Sequence, residues 1–198
     1  MDVLFEQAVI SKGADYLAAE QGLRTQPGAA EPVLRRNLAN PDGMARMLAE
    51  VLLAWTGNMA REYQQTLDYL DYLPARLART PISSPSPTGI AGYLNKHFDG
   101  RVAEFLALRL LKSPDWPRWR VLGVLFYLKD QKLPSTTAAL IRYAAETANQ
   151  EFAASAVEAI RSIPDPDLRK KIAAERRRAE QRGERLTQAL IDLEIEVK

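Results

Sequence analysis

From residue 100 onward the sequence keeps a regular beat, and that beat limits what the chain can become. Apolar segments centred on Phe105–Leu111, Val121–Leu128, Ala138–Ala145 and Phe152–Ile160 are followed by a segment that opens at Pro166. Their expected starts near 100, 117, 134, 150 and 165 give one helix in every 15–17 residues, or about 32 per pair. The intervening turns carry Ser113-Pro114, Leu133-Pro134-Ser135 and Ile163-Pro164-Asp165-Pro166. In each, a proline opens the next helix and a serine or aspartate stands where it can cap the free N–H groups. No segment shows the alternation and β-branched richness of a strand. The fold class expected is therefore all-α.

A period in this range marks stacked antiparallel helical hairpins, each with an apolar face that only a neighbour can cover. The segment Glu151-Phe152-Ala153-Ala154-Ser155-Ala156-Val157-Glu158-Ala159-Ile160, followed by Pro164-Asp165-Pro166-Asp167-Leu168-Arg169, resembles the HEAT-like repeat family. In that family an alanine-rich second helix runs into a D-P turn and then a basic helix begun by leucine. The resemblance covers roughly residues 100–175 and implies an α-α superhelix. A tetratricopeptide unit fits Tyr143, Ala159 and Pro164 but not Thr136, Ala139 and Leu140, and a plain helical bundle is the further alternative.

The N-terminal portion is punctuated less evenly. One helix is expected over Val3–Glu20, a short one over Pro32–Leu38, and a third over Met44–Thr56, where Met47, Leu48, Val51, Leu52 and Trp55 share a face. Met59, Tyr63, Leu67, Leu70, Leu73 and Leu77 predict a fourth helix of about 18 residues. Residues 80–89, TPISSPSPTG, read as a linker or long surface loop. The expected organisation is a helical subdomain over 1–79, the linker at 80–89, and a helical-repeat region over 90–198.

From Asp165 to Lys198, a segment whose one glycine is Gly183, a long C-terminal helix is expected, its first half closing the stack and its second extending as an amphipathic arm. Leu186, Leu190, Leu193 and Val197 recur at steps of 4, 3 and 4, a short coiled-coil-like stripe. Folding back onto the chain's own helices or docking on a partner, a second copy included, are the two uses open to such a stripe. Trp116 and Trp119, alternating with Arg118 and Arg120, read first as core anchors at a helix start and second as a candidate partner-binding cluster. Between Arg169 and Arg185 there are eight Lys/Arg and three Glu, a local excess of 8 − 3 = +5 in a chain of net charge +2. Lys171, Arg178, Arg182 and Arg185 align on one side of a helix and are candidate nucleic-acid contacts.

Several chemistries lack their residues. There is no cysteine, which removes disulfides, thiolate catalysis and cysteine-ligated metals. His97 is the only histidine, so a histidine-based metal site has no second imidazole. Neither a G-x-S-x-G elbow nor a phosphate-binding glycine loop occurs. The acidic pair Asp68 and Asp71 reads as an ordinary polar helix face. The N-terminus lacks the pattern of a secretory signal, and Val121–Leu128 is too short to span a bilayer. The expectation is a cytoplasmic, non-enzymatic protein-binding or scaffold protein without cofactor or membrane contact, with nucleic-acid binding through residues 169–185 as the alternative.

Overall fold

The computed structural model describes residues 1–55, 86–98 and 100–197, together with Gln64, Thr66 and Leu70. Among these residues it contains eleven α-helices, one 3-10 turn and no strand, so the chain is all-α. No described helix is long and apolar enough to cross a membrane. Packing divides the chain into two units, the first comprising 1–85 and 104–116 and the second 86–103 and 117–198. Both units are therefore discontinuous in sequence.

In the first unit, α1 (Asp2–Ile10) packs against α2 (Gly13–Thr25), and α3 (Pro27–Asn37) packs against α4 (Gly43–Trp55). The single helix expected over Val3–Glu20 is in fact two. α1 ends at Ile10, where Ser11 turns extended, and α2 opens at Gly13, whose φ of +57 glycine enters without steric cost. The helix expected from Pro32 begins at Pro27, and Pro32 lies inside it. Pro27 occupies the first turn, where a missing N–H costs nothing. Met47, Leu48, Val51 and Leu52 are buried along α4, as their spacing requires. Asp42 starts that helix by accepting the Met44 N–H at 2.9 Å. The helix expected over Met59–Leu77 lies outside the described residues, except that Gln64, Thr66 and Leu70 are helical and that Thr66 and Leu70 are buried. Asp68 and Asp71 also lie outside them.

Residues 86–89, expected as the end of a linker, instead begin α5 (Pro87–His97). Ser86 is its N-cap, with the side-chain oxygen accepting the Gly89 N–H at 3.4 Å, and Pro87 fills the first helical position. A Ser-Pro pair thus opened a helix where it was read as a break. Residues 80–85 of the expected linker lie outside the described residues.

α6 (Gly100–Lys112) contributes its first turn to the second unit and the rest to the first. Four further helices follow at close to the expected rhythm: α7 (Arg118–Gln131), α8 (Thr137–Glu146), α9 (Gln150–Ser162) and α10 (Leu168–Gln181). A 3-10 turn at Pro134–Thr136 leads into α8. Asn149 caps α9, its side-chain oxygen accepting from Glu151 N at 2.9 Å and Phe152 N at 3.3 Å. α7 is buried nearly all round, at Val121, Leu122, Val124, Leu125, Tyr127 and Leu128, because α5 and α9 both lie against it. Within this unit α5 contacts α7, α7 contacts α9, and α9 contacts α11 (Gln188–Glu196), while α8 contacts α10. Contacts of α8 with α9 and of α10 with α11 join these two series.

The expected long C-terminal helix is likewise two elements. Gly183, at φ +69, stops α10, and α11 starts only after residues 184–187. A glycine of positive φ thus lies at both breaks, opening α2 in one case and following the last turn of α10 in the other.

Candidate functional site

The leucine stripe faces the interior of its own unit. Leu186, Leu190 and Leu193 are 9, 0 and 1 % exposed, and Val197 is half-buried. α11 places them against α8, α9 and α10. Polar groups hold the helix there. The Thr187 hydroxyl donates to the Ala144 carbonyl at 3.0 Å, Arg161 forms two bonds to Glu196 at 2.6 and 2.9 Å, and Arg176 pairs with Glu194.

Each tryptophan of the 115–120 cluster is half-buried. The Arg120 guanidinium lies 5.2 Å from the Trp119 ring centre, within cation–π range. Arg118 turns away to form a bidentate pair with Glu151, which holds that carboxyl below its usual range and raises the guanidinium.

The basic stripe is largely matched by acids of its own unit. Lys171 donates to Asp165 at 2.6 Å and to the Pro134 carbonyl at 3.0 Å. Burial alone would raise the Asp165 carboxyl. Lys171 and the Asp167 N–H outweigh that and hold it below the ordinary aspartate range. Arg178 lies 3.4 Å from Glu175, while Arg182 lies 3.4 Å from Glu146 and 2.8 Å from Glu184. Arg142 joins the same network 3.4 Å from Glu146, so three arginines face three glutamates and their charges cancel. Arg185 is exposed, and no ion pair involves it among the described residues.

A cluster that the sequence reading did not single out lies in the first unit. Arg109 Nη2 donates to Glu20 Oε1 at 2.8 Å, with the two side chains only 5 and 3 % exposed. The guanidinium also sits over the rings of Tyr16 and Phe105, at 5.4 and 5.3 Å from their centres. Burial first, and then the charge of Glu20, raises the Tyr16 hydroxyl far above its normal value, so it stays neutral. Arg24 is lowered, again chiefly by burial. Beside them the Lys112 ammonium, on a residue 3 % exposed, donates to the carbonyls of Val9 and Ser11, the latter at 2.9 Å. It thereby satisfies the free carbonyls at the end of α1. The signal in the sequence was Arg109 itself, a charge inside the apolar run Phe105–Leu111.

This cluster has the residue types of an acid–base site, but its hydrogen bonds point inward to one another and to backbone carbonyls. Such an arrangement fastens α6 to α1 and α2 within the first unit. His97, the only imidazole, is the exposed last residue of α5, its ring centre 4.3 Å from that of Tyr93. Among the described residues no group of three or more histidine or carboxylate side chains is placed to hold a metal ion.

No family model, curated protein or solved structure matches the chain.

Proposed function

We propose that the chain is a non-enzymatic binding or scaffold protein whose partner is another protein. The observation that carries this reading is the exposure of large apolar side chains on the first two helices. Val3 and Ile10 on α1 are 75 and 79 % exposed, and Leu17 on α2 is 52 % exposed. Val3 and Ile10 are seven residues apart, two turns of helix, and so stand on the same side of α1. Exposed apolar side chains on one face of a helix offer a protein partner a surface to cover. Supporting it in the second unit is the alternation of helix contacts, which suits a short HEAT-like stack of hairpins. The leucine stripe serves this reading as the seal at the end of that stack.

Nucleic-acid binding through residues 169–185 draws less support, because Lys171, Arg178 and Arg182 already face carboxylates. The test pairs two measurements on the full chain. Wild-type protein and a Val3→Glu/Leu17→Glu variant are used to capture proteins from extracts of the source cells, with quantitative mass spectrometry of what is retained. A defined set lost with the variant supports the reading, and identical sets overturn it. Labelled duplex DNA and RNA are titrated in parallel. Submicromolar binding that weakens steeply with salt would replace the protein-partner reading with the nucleic-acid one.

A further inference from the structure

We propose that a groove between α1 and the α3–α4 turn receives a basic peptide segment of the partner, in which an aliphatic side chain is flanked by lysine or arginine. This rests on the protein-binding reading above and adds the chemistry of what is bound.

The groove has a volume of about 410 Å³ and lies wholly within the first unit. This falls in the range of natural ligand pockets, roughly 300–1,000 Å³. Its apolar floor is set by Phe5 and Ala45, both 3 % exposed, and by Val9. The far wall comes from the end of α3 and the turn after it, where Asn40 accepts the Asp42 N–H at 2.9 Å. That bond, and the Arg46 guanidinium on the Asn40 and Pro41 carbonyls, fixes the turn and with it the shape of the wall.

Charge decides the kind of occupant. Three carboxylates line the groove, Asp2, Glu6 and Asp42, against one cation, Arg36, a balance of 1 − 3 = −2. Arg36 is already engaged, since its Nη2 donates to Asp2 Oδ1 at 2.6 Å. Asp2, Glu6 and Ile10 follow one another at steps of four, so they form one stripe along α1 beside the apolar floor. Ile10, at the rim, is 79 % exposed although it borders an apolar floor. A segment laid along this stripe meets the Arg36-paired Asp2, then the Glu6 carboxylate and then an isoleucine. The matching pattern is cationic side chains with an aliphatic one beside them.

The test uses the full chain and a short fluorescein-labelled peptide of alternating lysine and leucine, followed by anisotropy. Saturable binding that weakens with added salt is expected. Glu6→Lys and Ile10→Ser should each weaken it by roughly two- to fivefold, the upper range for one exposed contact. Both positions are exposed, and unchanged far-UV circular dichroism shows that the variants fold. Equal affinity for the peptide with glutamate in place of lysine, or unchanged affinity in both variants, overturns the proposal. Spermidine competing as well as the unlabelled peptide also overturns it, in favour of a small polycation. Absence of peptide binding ends the groove assignment alone, because Val3 and Leu17, which test the wider reading, do not line the groove.

Discussion

The buried charge cluster of the first unit and the surface ion pairs of the second differ in what their charges cost. In the first, Glu20 and Arg109 are paired almost out of reach of water, and the buried Lys112 ammonium spends its protons on backbone carbonyls. In the second, pairs such as Arg118–Glu151 and Lys170–Asp167 lie on the surface. The bond lengths are similar, but the consequences are not. An exposed pair exchanges one hydrated state for another and contributes little. A buried pair has already lost its water, so each member depends on the other to be tolerable at all. Proximity of opposite charges is therefore a poor guide to which residues hold a helix in place, and burial is the better one.

Breaking the buried pair should have the largest effect. Glu20→Ala strands the Arg109 guanidinium and is expected to cost about 3–5 kcal/mol in urea unfolding. A Glu20→Leu/Arg109→Met double variant should recover most of that loss, since apolar replacement of a whole buried pair is often neutral. A loss in the double variant as large as in the single one would mean that the pair itself stabilises the unit.

Asp165 stands between the extremes, because its side chain is 2 % exposed while its partner Lys171 is 30 % exposed. Asp165→Asn should cost about 1–2 kcal/mol at neutral pH, the scale of a charge-assisted hydrogen bond. The folded carboxyl is held below its ordinary value of 3.8, so its contribution is fully present above that pH. It is lost as pH falls through the lower folded value. Wild type and variant should therefore converge in acid, and a gap that stays constant down to strongly acidic pH would remove the linkage.

The smallest effect is expected at Arg118. Arg118→Ala should leave the urea midpoint unchanged within error in moderate salt, since the pair with Glu151 is solvated and screened. A clear loss there, comparable with that of Glu20→Ala, would erase the distinction between buried and exposed pairs.

The sequence carried the helices well where turn chemistry and apolar rhythm agreed. Asn149, Pro134 and Asp165 stand at turns between helices, and the run Val121–Leu128 is dense because α7 has helices on two sides. It misled where one residue type has two uses. Ser86-Pro87 was read as a linker although serine followed by proline is also how a helix begins. The helix expected over Val3–Glu20 is interrupted with no proline to mark the break, since Ser11 is extended after α1 and Gly13 opens α2 with a left-handed backbone. The leucine stripe could be recognised from spacing alone. Its covering by α8, α9 and α10 could not, because spacing says that a face is buried and not what buries it. Glu20 and Arg109 are 89 positions apart, and no local pattern links them.

That separation has a consequence for the history of the chain. A change at position 20 or at position 109 alone leaves a buried charge without its partner, which is costly. Relatives of this protein should therefore inherit the glutamate and arginine together, or show both replaced by apolar residues. Any lineage that kept one without the other would carry a compensating charge at a position beside them, and that position would be the third member of an inherited set.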